Sequence, residues 1–379
     1  MTHEYLRAEI STSAIRENLR RLRQCTEPGV KFCPAVKCNA YGHGLEPVLR
    51  ALTGQADALA VATPAEALEL RRLGYDGPVL LFLPAAANDD ARDVPALLEE
   101  LLRRNIILTV TRPEQVQAVR AVAARLGVEA PVHVKVDTGM TRSGAPVEQA
   151  ASLVQAVRAT APVRLAGIYT HLACADEADK TSARDQLALF EKVLAECDIR
   201  PGDGVVRHAA NSAGLIDLPE SHYDMVRPGI SLYGYQPGEE MHNRPPLRPC
   251  LRLVGPLMQI RRVSPGTRCG YGLTHKFTQP GVAGLVSIGY GDGYFRALGN
   301  RGVMRIGQRD VPIRGRVSMD QTIIDLTDVP DVHVGQAVEI ISANPRAGNS
   351  VESLARLVGT IPHEITTRLG DRVERILVS

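Results

Sequence analysis

The sequence has no long hydrophobic run and no cluster of one charge. None of its apolar stretches approaches the roughly 20 residues that span a bilayer, and the formal net charge is only +2. Residues 1–9 are polar and charged where a signal peptide needs an apolar core. These absences give no case for nucleic acid or a membrane as a partner, and they predict a cytoplasmic protein.

Cysteine pairs and common metal or dinucleotide signatures are also missing. The seven cysteines are scattered without a C-x-x-C pair, which indicates free thiols in a reducing compartment. His363 and Glu364 are not followed by the second histidine of H-E-x-x-H, so we expect no metal. No G-x-G-x-x-G opens a helix, which argues against a doubly wound open sheet.

The first 240 residues instead alternate between strand and helix patterns. Apolar runs predict strands at 30–37, 57–62, 79–83, 106–110, 132–137, 163–170, 205–209 and 223–228. Amphipathic segments predict helices at 45–53, 64–73, 92–104, 112–126, 146–160, 180–197 and 211–217. This count predicts an α/β fold, a (β/α)8 TIM barrel over residues 12–240.

The pattern changes after residue 240. A proline-rich linker is followed by short β-branched runs punctuated by glycine, which are typical of strands. We therefore expect a C-terminal all-β domain over residues 241–379. A strand at residues 1–11 is expected to join it, because a strand before the barrel has no place inside one.

Lys37 stands at the predicted carboxyl end of the first barrel strand, in residues 35–44, AVKCNAYGHG. A lysine there is usually a solvated charge, but one that loses its proton in a cavity forms Schiff bases with aldehydes. The stretch closely resembles the pyridoxal-phosphate attachment motif of the alanine racemase family, with Cys38 where the family normally has alanine. The resemblance makes Lys37 the attachment lysine and implies that Tyr41 donates to the cofactor phosphate.

A second motif occupies residues 133–144, HVKVDTGMTRSG. Strand alternation places Lys135 and Asp137 on one side, inside the barrel, where charges must be paired. A stabilising salt-bridge network is one interpretation. The resemblance implies that Arg142 binds the cofactor phenolic oxygen and the substrate carboxylate, and that Lys135 can be carbamylated to hold Arg142.

Three further motifs end predicted strands: THLACAD at 170–176, HAANSAG at 208–214 and VRPGISLYG at 226–234. Alone, His171 would more often be structural, and a helix N-cap would explain Ser212 as well as phosphate binding would. The resemblance places Ser212 on the phosphate and His171 beneath the pyridine ring. It gives the cofactor-binding set as Lys37, Tyr41, Arg142, His171, Asn211, Ser212, Arg227, Gly229 and Ile230.

Arg227 faces the pyridine nitrogen in this family resemblance. Many pyridoxal enzymes place a carboxylate there to keep the nitrogen protonated, whereas an arginine stays charged and leaves the nitrogen unprotonated. Negative charge at the substrate Cα is then less delocalised over the ring. This disfavours transamination and suits simple proton exchange.

Racemisation needs a proton acceptor on each face of the substrate, and Lys37 serves one face. The resemblance assigns the other face to Tyr271, in RCGYGLT at residues 268–274, and has it reach the cavity of a partner subunit. It thereby implies a homodimer with composite sites. Cys269 and Gly270 depart from the serine expected directly before that tyrosine.

Residues around the entrance complete the resemblance. It implies that the Met319 backbone amide binds the substrate carboxylate, and that Tyr290 lines an access channel to which Arg296 and Arg316 draw amino acids. Without the companion motifs, Tyr290 could equally be an ordinary β-domain aromatic. His363 also lies in this channel, where the family usually has a tyrosine that narrows the pocket.

We therefore expect a dimeric racemase that interconverts L- and D-alanine for peptidoglycan. A serine or broad-specificity racemase is the close alternative, because the shorter His363 could admit a hydroxymethyl group. A barrel-type amino-acid decarboxylase is disfavoured by Arg227. A non-catalytic cofactor-binding protein on the same barrel would generally lack a β domain that carries Tyr271.

Overall fold

The computed structural model describes residues 6–85 and 94–379. Strand β1, Arg7–Ser11, precedes the N-terminal part. The strands of that part are β2 Lys31–Phe32, β3 Leu59–Val61, β4 Val79–Pro84, β5 Ile106–Val110, β6 Ala130–Asp137, β7 Ala145–Pro146, β8 Val163–Tyr169, β9 Val206–His208 and β10 Met225–Val226. A curled parallel sheet has the order β3-β4-β5-β6-β8-β9, with β7 beside β6, and β10 pairs with β2.

Helices alternate with these strands and cover the sheet. They are α1 Thr12–Arg23, α2 Lys37–Tyr41, α3 Leu45–Leu52, α4 Pro64–Arg72, α5 Val94–Arg103, α6 Pro113–Leu126, α7 Val147–Arg158, α8 Thr181–Glu196 and α9 Ser212–Asp217. Pro64 and Pro113 open their helices, and Gly127 ends α6 at φ 65°, as helix-end preferences require. Across the described ranges, no helix combines the length and apolar character needed to cross a membrane.

The predicted alternation of strands and helices is confirmed as a curled parallel sheet with helices on it. Most predicted elements begin and end within a few residues of the observed ones. The first two residues of the helix predicted at 92–104, and residues 1–5 of the strand predicted at 1–11, lie outside the described part of the chain. Strand β7 was not predicted, because two residues give no periodicity.

Helix α2 is a left-handed turn that follows strand β2. Cys38, Asn39, Ala40 and Tyr41 have φ between 52° and 54°, a conformation that costs L-residues roughly 1–2 kcal/mol each. The Asn39 carboxamide oxygen accepts the Leu45 N–H at 2.7 Å and so ties the turn to α3.

The C-terminal half also contacts this turn. A side chain on Gly42 would collide with the carbonyl oxygen of Thr366, and Gly42 has φ 80°, so the position requires glycine. The Gly42 carbonyl accepts the Arg375 Nε–H at 3.2 Å. Contacts distant in sequence therefore hold a conformation that local propensity disfavours.

The C-terminal part consists mainly of strands, as predicted. They are β11 Leu251–Val263, β12 Arg268–Cys269, β13 His275–Lys276, β14 Gly281–Val286, β15 Val303–Ile306, β16 Arg309–Pro312, β17 Thr322–Asp325, β18 Ala337–Ile341 and β19 Glu374–Val378. Strand β1 lies between β11, which it pairs antiparallel, and β19, which it pairs parallel.

The expectation of an all-β domain was wrong in one respect, because this part also contains helices α10, Val351–Val358, and α11, Pro362–Thr367. The signals for α10 were present in the sequence. The Ser350 hydroxyl accepts the Ser353 N–H at its start, and Gly359 ends it at φ 74°. Helix α11 lies against α2 and brings His363 near Tyr41.

Candidate active site

One cavity of about 250 Å³ opens where the parallel strands end. Its lining includes His363 and the whole cofactor-binding set predicted from the sequence. Phe82, Asp176 and Pro237 also line it and were not predicted. Two of them could have been predicted from their positions, because Phe82 lies at the end of a predicted strand and Asp176 ends the THLACAD motif.

Lys37 is largely buried at the start of the left-handed turn. Burial lowers the pKa of its ammonium group, and the nearby Arg142 guanidinium lowers it further. The next residue is fixed, since the Cys38 N–H donates to Glu66 Oε1 at 2.6 Å. Glu66 also caps α4 by accepting the Thr63 N–H at 3.0 Å, so one carboxylate ties the residue after the lysine to the start of that helix.

Arg227 is buried and donates hydrogen bonds from both ends of its guanidinium. It donates to Nδ1 of His208 at 2.7 Å and to the carbonyls of Thr170 and Ala209 at 2.8 and 2.9 Å. Burial lowers its pKa to about 10, so it remains a cation at neutral pH. Within the described residues no carboxylate pairs with it, and the cavity therefore meets a fixed positive charge here.

His171 is neutral, because burial and then the Arg227 guanidinium hold its pKa well below the usual value. Arg227 approaches His171 Nδ1 at 3.4 Å and can only donate. Nδ1 is therefore the acceptor, and Nε2 carries the proton. This tautomer leaves one N–H donor on the ring.

Tyr41, Ser212 and Gly229 converge at one wall of the cavity. A side chain on Gly229 would collide with the Tyr41 hydroxyl, so this glycine admits the hydroxyl to the backbone. Ser212 Oγ accepts the Gly229 N–H at 2.8 Å and the Ser231 N–H at 3.3 Å. These groups form a small cradle of hydroxyls and amides.

The alternative explanation of Ser212 as an N-cap is wrong. Asn211 caps α9 instead, accepting the Gly214 N–H on its carboxamide oxygen at 2.9 Å. Ser212 is the first helical residue, and its hydroxyl points to the next strand end. Asn and Ser are both good caps, so sequence alone does not choose between them.

The salt-bridge network considered for Lys135 and Asp137 is also wrong. Asp137 accepts the backbone N–H groups of Gly139, Thr141 and Arg142 at 2.9–3.0 Å and shapes the loop that carries Arg142. Lys135 has no carboxylate partner among the described residues. Burial, followed by the Arg142 and Arg227 charges, lowers its pKa to about 8.

Except for His363, the predicted C-terminal site residues lie apart from the cavity of their own chain. Tyr271, Met319 and Tyr290 are 71%, 54% and 43% exposed, and none of them lines the cavity, nor do Arg296 and Arg316. The Tyr290 N–H donates to Ser318, beside Met319, at 3.0 Å. Tyr271, Met319 and Tyr290 therefore each expose a large aromatic or apolar side chain.

His363 lies in the cavity with its ring 5.9 Å from that of Tyr41. Burial, together with the Lys37 charge, lowers its pKa to about 4, so it is neutral. Its Nδ1 is buried and has no hydrogen-bond partner within residues 6–85 and 94–379. Those residues also contain no group of three or more side chains suited to a metal ion.

Two family models match the chain. "Alanine racemase, N-terminal domain" matches residues 10–237, and "Alanine racemase, C-terminal domain" matches residues 250–377. Among curated relatives, the alanine racemase of Desulfosudis oleivorans is 37% identical, with 97% of this chain and 95% of that protein covered. The alanine racemase of Methanococcus maripaludis is 37% identical over 97% of both chains.

Solved structures agree with these matches. The alanine racemase of the D-cycloserine producer Streptomyces lavendulae has a TM-score of 0.91 and 34% identity, covering 100% of this chain and 98% of that one. The Bartonella henselae alanine racemase, solved with covalently bound pyridoxal phosphate, has a TM-score of 0.85 and 29% identity, covering 99% of each chain. Fold and site thus define an amino-acid racemase, an isomerase. The chain belongs to the alanine racemase family.

Proposed function

We propose that this protein interconverts L- and D-alanine with pyridoxal 5'-phosphate and supplies D-alanine for peptidoglycan. The observation that carries the proposal is a largely buried lysine of lowered pKa that shares one cavity with a buried arginine, which pairs with no carboxylate among the described residues. Lys37 would bind the cofactor aldehyde as a neutral amine. When bound, the cofactor supplies an electron sink that acidifies the substrate Cα–H.

The residues present fit this cofactor. Tyr41, Ser212 and the N–H groups of Gly229 and Ile230 would hold its phosphate in the cradle, which lacks room for a side chain at residue 229. Asn211 caps the helix that presents Ser212. Arg142 would meet the phenolic oxygen and the substrate carboxylate, and the cavity walls bring it close to Lys37.

Arg227 would control the ring nitrogen. It donates every hydrogen bond it makes and carries a permanent charge, so a nitrogen that faces it stays unprotonated. This arrangement favours return of the proton to Cα over transfer elsewhere. The arginine at this position also argues against the alternative that the protein is an amino-acid decarboxylase.

Two bases would move the proton, and they would come from different subunits. Lys37 accepts a proton on one face, and Tyr271 of the partner subunit acts on the other. The tautomer of His171 leaves its Nε2–H free to donate to that phenolate oxygen. The exposed surface of Tyr271, Tyr290 and Met319 supports a homodimer with composite sites. The Met319 N–H would bind the substrate carboxylate, and Arg296 and Arg316 would line the entrance.

We also propose that the curled sheet closes into a (β/α)8 barrel over residues 12–240, with 1–11 and 241–379 as the β domain. Backbone bonds support closure: the Val36 N–H donates to Ala60 at 2.8 Å, and the Asp224 N–H donates to Arg207 at 3.0 Å. These bonds join the β2–β10 pair to both edges of the sheet. The free thiols of all seven cysteines suit a cytoplasmic enzyme.

A substrate panel resolved by chiral chromatography tests the activity. We expect loaded enzyme to racemise both alanine enantiomers to the same final mixture. Release of carbon dioxide would favour a decarboxylase. Absence of turnover on every amino acid would favour a non-catalytic cofactor-binding protein.

Lys135 is expected to be carbamylated. Its neutral amine attacks carbon dioxide, an N–C bond forms and one proton leaves, giving a carbamate anion beside Arg142. Because the pKa of Lys135 is about 8, occupancy should rise as the pH rises through 8 at constant dissolved carbon dioxide. Carbon-13 NMR in labelled bicarbonate should show a carbamate signal that Lys135→Ala removes and Lys276→Ala, at an exposed lysine, retains. A signal that persists in Lys135→Ala would contradict the assignment.

Serine is a second candidate substrate, favoured by the unpartnered Nδ1 of His363 in the cavity. This nitrogen could bond the serine hydroxyl. We expect His363→Tyr to lower kcat/KM on serine relative to alanine by about tenfold, through lost space and a lost partner. Steady-state kinetics on both amino acids measure the ratio. His363→Phe adds a ring of similar size without the tyrosine hydroxyl, so it separates the effect of side-chain volume from that of the hydroxyl. An unchanged ratio of kcat/KM on serine to that on alanine in both variants would refute a role of His363 in substrate choice.

A further inference from the structure

Arg372, on the approach to the last strand, bridges two loops of the C-terminal part. Its Nη2 pairs with Asp292 Oδ1 at 2.9 Å and its Nη1 with Asp320 Oδ1 at 2.8 Å. The Asp292 carboxylate is nearly buried, and it also accepts the Gly289 N–H at 2.9 Å. One planar guanidinium thus ties the turn Tyr290–Asp292 to the loop that contains Met319.

The backbone of the same two segments is in register. The Tyr290 N–H donates to the Ser318 carbonyl at 3.0 Å, and the Gly291 N–H donates to the Met319 carbonyl at 2.8 Å. Arg372 packs on this junction closely enough that a side chain on Gly291 would collide with its guanidinium. The arginine therefore lies beside the hydrogen bond between Gly291 and Met319.

These bonds determine where the Met319 N–H points. The Ser318 carbonyl and the Met319 N–H belong to one planar trans peptide and so point in opposite directions. Because Tyr290 holds the carbonyl, the N–H points away from the Tyr290 turn. It makes no hydrogen bond to any other described residue. The segment presents a free donor beside the exposed Met319 and Tyr290 side chains.

We infer that Arg372 is a positioning residue for the reaction, which sets the Met319 N–H and Tyr290 in the cavity of the partner subunit. The inference rests on the proposed homodimer. A lysine at this position could hold only one carboxylate at a time, because it lacks the fork of the guanidinium. The competing explanation is an ion pair that merely stabilises its own domain.

Mixed dimers separate these explanations. In one dimer, the subunit with Lys37→Ala also carries Arg372→Met, and the other subunit is unchanged. Its one working site then uses the altered C-terminal surface. In the second dimer, Arg372→Met lies on the subunit that retains Lys37, and the working site uses an unaltered surface.

We expect KM for alanine to rise about tenfold in the first dimer only, the factor that loss of one charge-assisted hydrogen bond gives, with a smaller change in kcat. Arg372→Lys should recover part of that increase and serves in place of Arg372→Met if the latter fails to fold. Arg50→Met, which removes an exposed ion pair on α3, should change neither dimer.

A KM that follows the subunit bearing Lys37, or that is unchanged in both dimers, would overturn the inference. The proposed function fails on a different result. If subunits with Lys37→Ala and subunits with Tyr271→Phe regain no activity on mixing, there is no composite site for Arg372 to arrange. If those mixed subunits regain activity but KM does not depend on which subunit carries Arg372→Met, only the positioning role of Arg372 is rejected.

Discussion

Replacing Lys37 with alanine is expected to lower kcat/KM for alanine racemisation by at least about 10³-fold, because one side chain both attaches the cofactor and moves a proton. The structure gives Lys37 a largely buried position and a lowered pKa, which favours the neutral amine that attacks an aldehyde. Initial rates in both directions, measured by chiral chromatography, give the loss. Both directions should fall together, since either direction needs the lysine.

Chemical labelling checks the same residue independently of rate. Borohydride treatment of the loaded protein should fix pyridoxal phosphate to one peptide, the one that contains Lys37. Lys276→Ala provides the matched control, as it removes an exposed lysine and should leave label and activity intact. Label on any other lysine would remove the basis of the proposed site.

Replacing Tyr271 with phenylalanine is expected to slow racemisation by about 10²–10⁴-fold, the usual contribution of a general acid or base. Lys37 would remain, so one face of the substrate would still exchange its proton. In deuterium oxide, one alanine enantiomer should therefore lose its α-hydrogen much faster than it racemises. Mass spectrometry and chiral separation of the same samples compare the two rates.

Subunit mixing tests where that tyrosine acts. A dimer of Lys37→Ala and Tyr271→Phe subunits has one site with both bases intact, if the bases belong to different chains. Random one-to-one mixing should then restore about a quarter of the wild-type activity. No recovery would mean that each chain supplies its own tyrosine. Equal loss of exchange for both enantiomers in Tyr271→Phe would instead reject the two-base arrangement.

The cavity was predictable because its residues stand at strand ends, and strand ends in this fold meet at one face. Lys37, His171 and Arg227 are far apart in sequence, yet each directly follows an apolar run, so strand patterns alone place them together. That Lys135 and Asp137 form no salt bridge with each other was not predictable. Alternation along a strand predicts on which side of the strand a side chain lies, but it does not predict its hydrogen-bond partner. The Asp137 carboxylate accepts backbone N–H groups two to five residues further along the chain.

Other features depend on contacts that sequence patterns do not encode. Residues 38–41 contain no glycine that would indicate a left-handed turn. The residues that support this turn, Thr366 and Arg375, are more than 300 positions away in the sequence. Arg372 was missed for the same reason, because its two acidic partners are distant in the chain. Helix α10 was missed although its capping signals were present in the sequence.

The contacts of Thr366 and Arg375 with Gly42 join two segments that are far apart in the sequence. The ribosome releases the sheet strands before these two residues, which follow Gly42 by more than 300 positions. Until they emerge, the turn after Lys37 lacks the contacts that offset its unfavourable backbone conformation. The turn after Lys37 therefore gains its full support only after residues more than 300 positions downstream have been synthesised.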